Sequence, residues 1–232
     1  MSRTFPFFIV GSVRSGTTLL REILKSIHGL ECPEETHFYR WGHPFGSGGY
    51  YKSAIKSPVL RRHREIDGVE ESNFVRIIQT ATSRRDLQAL YAEKFMTAKG
   101  TGGRRWFDKT PQNVYGLPLL AHDFPEARFV HIVRNPLNVA ASLVLGKVIK
   151  APNIISAANY WQEAIAIFNT VRPIIKTRTY ELKYEDLTAS PQTTMTSLLN
   201  FLGEDANSLG YDLSKIHPER DQYKDLLSSS DI

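Results

Sequence analysis

The chain has 232 residues, a formal net charge of +5 and 41% hydrophobic residues, enough apolar material for a core and enough to exclude wholesale disorder. Its single cysteine, Cys32, excludes an internal disulfide and a cysteine-rich metal site. The basic balance favours an anionic ligand (nucleic acid, a membrane surface or a multiply phosphorylated cofactor) over an uncharged one, with a solvated basic surface as the plain alternative.

The length suits one domain. The apolar run from Phe5 to Val10 is too short to span a membrane, and no small-residue cleavage site follows it. Nothing later approaches transmembrane length. The chain is therefore expected to be cytoplasmic and without a membrane anchor. Phe7-Phe8-Ile9-Val10 reads as a buried parallel strand ending at Gly11. A helix is expected from about Gly16 through Leu19, Leu20, Ile23, Leu24 and Ile27, closed by Gly29. Residues 37–70 read as irregular, with Gly46, Gly48, Gly49 and the basic cluster Arg61, Arg62, His63, Arg64. Residues 37–100 are expected to form an insertion or lid, with helical patterning from Phe74 to Phe95. Arg105-Trp106-Phe107 is a short strand, with a helix from about Asn113 to His122. Arg128 to Val133 is a second strong strand. Asn135 and Pro136 then supply an N-cap and first helical residue, for a helix running to about Gly146. A helix from Asn153 to Ile167, a strand from Thr179 to Tyr184 and a helix from Pro191 to Leu202 follow, then a polar tail over 210–232. Strands alternating with helices give an α/β fold with a central parallel sheet flanked by helices, with ligands at the carboxyl ends of the strands.

Gly11-Ser12-Val13-Arg14-Ser15-Gly16-Thr17-Thr18 joins the first strand to the first helix in a Gly-x4-Gly-x-Thr frame, the spacing of a P-loop. A helix N-terminus offers free N–H groups and a positive dipole end to an anion, and glycine lets the backbone approach a phosphate. Ser15, Thr17 and Thr18 add hydroxyl donors. An ATP-type P-loop has lysine where this chain has Thr17, so magnesium-dependent γ-phosphoryl chemistry is disfavoured, and Arg14 supplies a cation of different shape.

Phe8-Ile9-Val10-Gly11 followed by Arg14-Ser15-Gly16-Thr17-Thr18-Leu19-Leu20 resembles the 5′-phosphosulfate loop of sulfotransferases, most nearly the branch with tyrosylprotein sulfotransferases and many bacterial enzymes. The resemblance implies a P-loop-like three-layer fold and the donor 3′-phosphoadenosine 5′-phosphosulfate (PAPS, leaving PAP as product), bound by Arg14, Ser15, Gly16, Thr17 and Thr18. Arg134-x7-Ser142, at a strand end entering a helix, resembles the family's 3′-phosphate motif, which implies that Arg134 and Ser142 bind that phosphate. The family's further basic residue corresponds to Gly146, with Lys147 one step on. Tyr184-Glu185-Asp186-Leu187 resembles the segment whose tyrosine lies near the donor nucleotide, with a core role for Tyr184 as the alternative.

Sulfuryl transfer needs a base for the acceptor hydroxyl, positive charge for the leaving oxygen, and in-line positioning. Glu34-Glu35-Thr36 resembles the Glu-Glu-Thr of tyrosylprotein sulfotransferases, in which Glu35 is the matched base. Two adjacent buried carboxylates are expected to raise one another's pKa toward neutrality. His37 is a rival base. Lys109, in Asp108-Lys109-Thr110-Pro111, resembles the family's lysine that meets the transferring group, with Arg14 beside it. No metal is expected. Phe38, Tyr39, Trp41 and Tyr50 either line an acceptor cleft or pack a lid. The expected reaction moves a sulfuryl group to an acceptor hydroxyl on a peptide tyrosine, sugar, lipid or metabolite, with no nucleic acid as partner. A P-loop kinase of small molecules and a non-catalytic nucleotide- or nucleic-acid-binding protein, the latter motivated by Arg61 to Arg64, are the alternatives.

Overall fold

A computed structural model describes residues 5–40, 42–146, 149, 151–205, 210–217, 221 and 223–226. Five parallel strands form one sheet in the order β2-β3-β1-β4-β5. They are β1 (Phe7–Gly11), β2 (Leu30–Glu31), β3 (Arg105–Lys109), β4 (Arg128–Val133) and β5 (Thr179–Lys183). The first strand is the axis of the sheet: Phe7 pairs with Phe107 on one side and with Arg128 on the other. The chain winds outward from β1 to β2 and β3, then crosses to β4 and β5. This reversal leaves a crevice at the carboxyl end of β1, where ligands bind in open α/β sheets.

Alternation along β1 fills both faces. Phe7 and Ile9 join an apolar cluster with Leu20, Ile23 and Leu24 of α1 (Thr17–Lys25) and Met195, Leu198 and Leu199 of α10 (Pro191–Leu202). Phe8 and Val10 face the opposite cluster, with Phe129, Phe168 and the aromatics Phe38, Tyr39, Tyr50, Phe74 and Tyr91. Burial on both faces is why β1 is an unbroken apolar run rather than an alternating one. The remaining helices are α2 (Gly48–Lys56), α3 (Pro58–Asp67), α4 (Glu71–Thr80), α5 (Arg84–Lys99), α6 (Leu117–Asp123), α7 (Pro136–Gly146), α8 (Ile154–Val171), α9 (Tyr184–Ala189) and α11 (Tyr223–Leu226).

Two expectations change, and one open alternative closes. Residues 37–70 are not irregular: α2 and α3 occupy most of them, each started by a serine, Ser47 accepting from Tyr50 N and Ser57 from Leu60 N, and α3 is closed by Gly68 at φ 74°. The helical stretch 74–95 is two helices, α4 and α5, with Ser83 capping the second. Phe38, Tyr39 and Tyr50 are core residues exposed by no more than 2%, so they line no acceptor cleft; Trp41 lies outside the described residues. In the tail, Tyr211, Leu213 and Ile216 pack against the α1–α10 cluster, and Asp212 N donates to Ser26 Oγ at 2.8 Å.

Candidate active site

The loop after β1 is shaped by two glycines with different tasks. Gly11 has φ 149°, and a Cβ there would lie 2.7 Å from the Ile132 carbonyl oxygen, so β1 and β4 can approach only with glycine at this position. Gly16 caps α1 in the left-handed region at φ 91°. A Cβ on it would sit 2.1 Å from Cδ2 of Tyr184, whose ring lies against the loop. The first intrahelical bond runs from Leu20 N to the Gly16 carbonyl at 3.1 Å, so the amides before Leu20 have no carbonyl one turn back in the helix. Ser15 Oγ is buried with no hydrogen-bond partner among the described residues. A buried hydroxyl and a row of amides at a dipole's positive end suit an oxyanion.

Arg14, also at positive φ (69°), joins this loop to the second motif. Its Nε donates to Ser142 Oγ at 2.8 Å, and its carbonyl accepts from Arg134 Nη1 at 3.1 Å. The Arg134 guanidinium also stacks over the Tyr184 ring, 4.5 Å from its centroid. Asn135 Oδ1 caps α7 through Leu137 N, while Asn135 N donates to Glu185 Oε1 at 2.8 Å, tying the start of α9 to the start of α7. Arg14, Gly16, Arg134, Ser142 and Tyr184 therefore converge from three strand ends. Lys147 lies outside the described residues.

The acidic strip is residues 34–36, after β2, and its Glu34 and Glu35 line the same cleft as Arg14, Gly16, Thr17 and Thr18 of this loop. Glu34 and Glu35 are adjacent in sequence but take separate partners. Arg21 of α1 binds Glu34 at 2.6 Å. Glu35 Oε1 accepts from the Lys109 ammonium, and Oε2 lies 3.3 Å from His37 Nε2. This corrects the expected mutual elevation of the two carboxyls. Burial pushes the Glu35 pKa up, but His37 and the Lys109 ammonium outweigh it and hold it at about 2. Glu34 is likewise lowered, its burial outweighed by Arg21. Each carboxylate has its own cation, so their repulsion does not decide the titration.

Lys109 is set by its neighbour Asp108, which is buried at the end of β3. Asp108 accepts from Thr36 Oγ1 at 2.7 Å, from Gln88 of α5 and from Asn113. Thr36 N donates to Thr110 Oγ1 at 3.0 Å. The strip and the Lys109 strand end are thus fastened to one another by side-chain hydrogen bonds through a low-dielectric interior.

One cleft of about 910 Å³ is lined by five full cations (Arg14, Arg21, Arg40, Lys109, Arg134) against the two carboxylates Glu34 and Glu35, with Gly16, Thr17 and Thr18 of the loop. Such an excess of positive charge in a concave site favours multiply charged anions. Ser57, Val59, Leu60 and His63 form another part of its lining. His63 was legible only as part of a basic cluster. In the structure that cluster is dispersed: Arg64 is buried against Glu71 and the Ala54 carbonyl, Arg62 pairs with Glu65 of its own helix, and His63 Nδ1 lies 2.9 Å from the Glu35 carbonyl oxygen. The four side chains present no common basic face. Among the described residues no group of three or more histidines, cysteines or acids is arranged to hold a metal, and no helix is long and apolar enough to cross a membrane.

Fold and site together define a P-loop-like α/β protein whose strand ends gather cations around a carboxylate–lysine pair. The sulfotransferase family model matches residues 6–208, and the chain belongs to that family. It is 25% identical to omega-hydroxy-beta-dihydromenaquinone-9 sulfotransferase Stf3 of Mycobacterium bovis over 85% of this chain and 62% of that one. It is 26% identical to protein-tyrosine sulfotransferase 1 of Danio rerio over 95% of this chain and 63% of that one. The chain thus spans less than two thirds of the length of these curated relatives. Among solved structures, the sulfotransferase domain from the Synechococcus PCC 7002 olefin synthase shares the fold with a TM-score of 0.69 at 24% identity, covering 88% of this chain and 76% of that one. Mouse sulfotransferase SULT7A1, solved with PAP, shares it with a TM-score of 0.51 at 14% identity, covering 88% and 61%.

Proposed function

We propose that this chain transfers a sulfuryl group from PAPS to an acceptor hydroxyl, with Glu35 as general base. The observation that carries the reading is Arg14, which bonds Ser142 through its side chain and Arg134 through its carbonyl. Two anion-binding segments 120 residues apart in sequence become one surface, and Glu35 and Lys109 line the same cleft.

Ser15, Gly16, Thr17 and Thr18 would hold the 5′ end of the donor, with Arg134 and Ser142 at its 3′-phosphate and the Tyr184 ring beside Arg134. The bound donor supplies an electrophilic sulfur and a bisphosphate leaving group. Lys109 is the residue that changes partners: its ammonium, held by Glu35 in the free protein, turns to the transferring group together with Arg14. Glu35, relieved of that pairing, takes the proton from the acceptor hydroxyl as the acceptor oxygen forms its bond to sulfur. Lys109 and Arg14 meet the charge left on the bridging phosphate oxygen as the sulfur–oxygen bond breaks. His37 keeps its hydrogen bond to Glu35 throughout and orients the carboxylate.

Loss of a general base costs roughly 100- to 10,000-fold in rate. Glu35→Ala should lose sulfuryl transfer to that extent and still bind adenosine 3′,5′-bisphosphate, as read by calorimetry. Wild-type turnover in that variant would remove Glu35 from the role.

A further inference from the structure

The inserted helix α3 lies along the acidic strip and touches its backbone at two places. His63 and Asp67 are one helical turn apart and so share a face of α3. Asp67 Oδ1 accepts from the Glu34 amide at 2.9 Å, and its Oδ2 accepts from the Tyr91 hydroxyl of α5 at 2.6 Å. His63 Nδ1 meets the Glu35 carbonyl at 2.9 Å. A carbonyl oxygen only accepts, so Nδ1 of His63 carries the hydrogen. The His63 ring also stacks on His37, with centroids 6.2 Å apart and planes 16° apart. His37, with Lys109, bonds the Glu35 carboxylate.

The peptide group between Glu35 and Thr36 is thus held at both ends. Its oxygen takes the His63 hydrogen, and its N–H goes to Thr110 Oγ1. The amide on the other side of Glu34 goes to Asp67. A carboxylate that must meet an acceptor proton gains from a backbone fixed on both flanks, since a misplacement of about 1 Å can cost two orders of magnitude in rate.

We propose that His63 is a positioning residue for the acceptor base: from α3, with Asp67 as its companion, it fixes the Glu35–Thr36 peptide and the His37 ring, so that the helices inserted between β2 and β3 set the rate of transfer. The proposal rests on Glu35 being the base.

The test compares His63→Ala with His63→Asn, whose side-chain amide can place an N–H near the former Nδ1. Amide hydrogen exchange at Thr36 is measured in the free protein, and sulfuryl transfer from labelled PAPS to water is followed with the donor in excess. In His63→Ala, Thr36 exchange should rise about tenfold or more and transfer should fall about 10- to 100-fold, with adenosine 3′,5′-bisphosphate binding unchanged. His63→Asn should recover most of both. Unchanged Thr36 exchange in His63→Ala overturns the proposal, whatever the activity. Raised exchange with wild-type transfer also overturns it, as does a His63→Asn variant as slow as His63→Ala. Absence of both bisphosphate binding and transfer in the wild type is a failure of the sulfotransferase reading, and with it of the positioning role built on Glu35.

Discussion

The ring of Tyr184 occupies the space that a side chain at residue 16 would need. An added Cβ on Gly16 would stand 2.1 Å from Tyr184 Cδ2 and 2.5 Å from Cε2. The glycine is required twice over, since φ is 91° there and the tyrosine that follows β5 closes on the loop after β1. Tyr184 in turn carries Arg134 on its face, so the loop, the β5 end and the β4 end form one packed unit.

Gly16→Ala should therefore displace Tyr184 and lose stability by about 1–3 kcal/mol, while Tyr184→Ala alone should mainly weaken bisphosphate binding. Adding Tyr184→Ala to Gly16→Ala should relieve the steric part, giving a coupling energy of roughly 0.5–3 kcal/mol in a double-mutant cycle of chemical denaturation. Strictly additive effects would show that the ring and the glycine are independent.

Glu35 ties stability to acid. Its pKa is held at about 2, against 4.5 ordinarily. A carboxyl lowered by folding contributes stability that is complete above its unfolded pKa and is lost as the pH falls through the folded value. Wild-type stability should fall between pH 4.5 and 2, and Glu35→Gln should remove up to about 1.4 kcal/mol per pH unit of that slope. At neutral pH Glu35→Gln should be less stable than wild type, because Lys109 is left buried without its counter-charge. Denaturation curves at a series of pH values measure both effects.

Arg134→Ala should weaken adenosine 3′,5′-bisphosphate binding by roughly 10- to 100-fold, the worth of hydrogen bonds to a charged group. Ser142→Ala removes a single neutral hydroxyl and should cost about tenfold or less. Calorimetric titration of both variants tests that ranking.

Arg64 is a structural cation. It is 3% exposed, bonds Glu71 through two nitrogens and lies 4.1 Å from the Phe74 ring centroid. Arg64→Ala should destabilise the chain by about 1–3 kcal/mol, through the buried Ala54 carbonyl left without its donor and the lost packing on Phe74, while the half-exposed Glu71 is solvated. Arg62→Ala, at an exposed pair, should change stability by less than about 1 kcal/mol. Thermal unfolding distinguishes the two.

The parts of the fold with a single strong local signal were legible in the sequence. β1 is an apolar run buried on both faces, β4 carries Phe129, Val130, Ile132 and Val133 in six residues, and α10 has proline at its start and Gly203 at its end. α3 was not legible because its inward face consists of Leu60, Arg64 and Asp67. Two of those three are charged and satisfied by polar partners on other segments (Glu71 and the Ala54 carbonyl for Arg64, Tyr91 and the Glu34 amide for Asp67), so hydrophobic periodicity cannot reveal the helix. β2, with two residues, is too short for any pattern. At the site, the sequence pointed to Glu35, Lys109, Arg14 and Arg134, which share one cleft, and to Ser142, which reaches it through Arg14. It did not show that Glu34 and Glu35 divide between Arg21 and Lys109, which reverses the expected pKa shift. His63 was hidden because its role depends on α3 packing along residues 34–36, a contact between segments 28 residues apart.

The most direct test is calorimetric titration of the protein with adenosine 3′,5′-bisphosphate and, separately, with ATP plus magnesium. Tight bisphosphate binding that Arg134→Ala weakens, with ATP and magnesium bound poorly, is the result predicted. Preference for ATP with magnesium, or no binding of either nucleotide, would contradict the reading of this cleft as a sulfuryl-donor site.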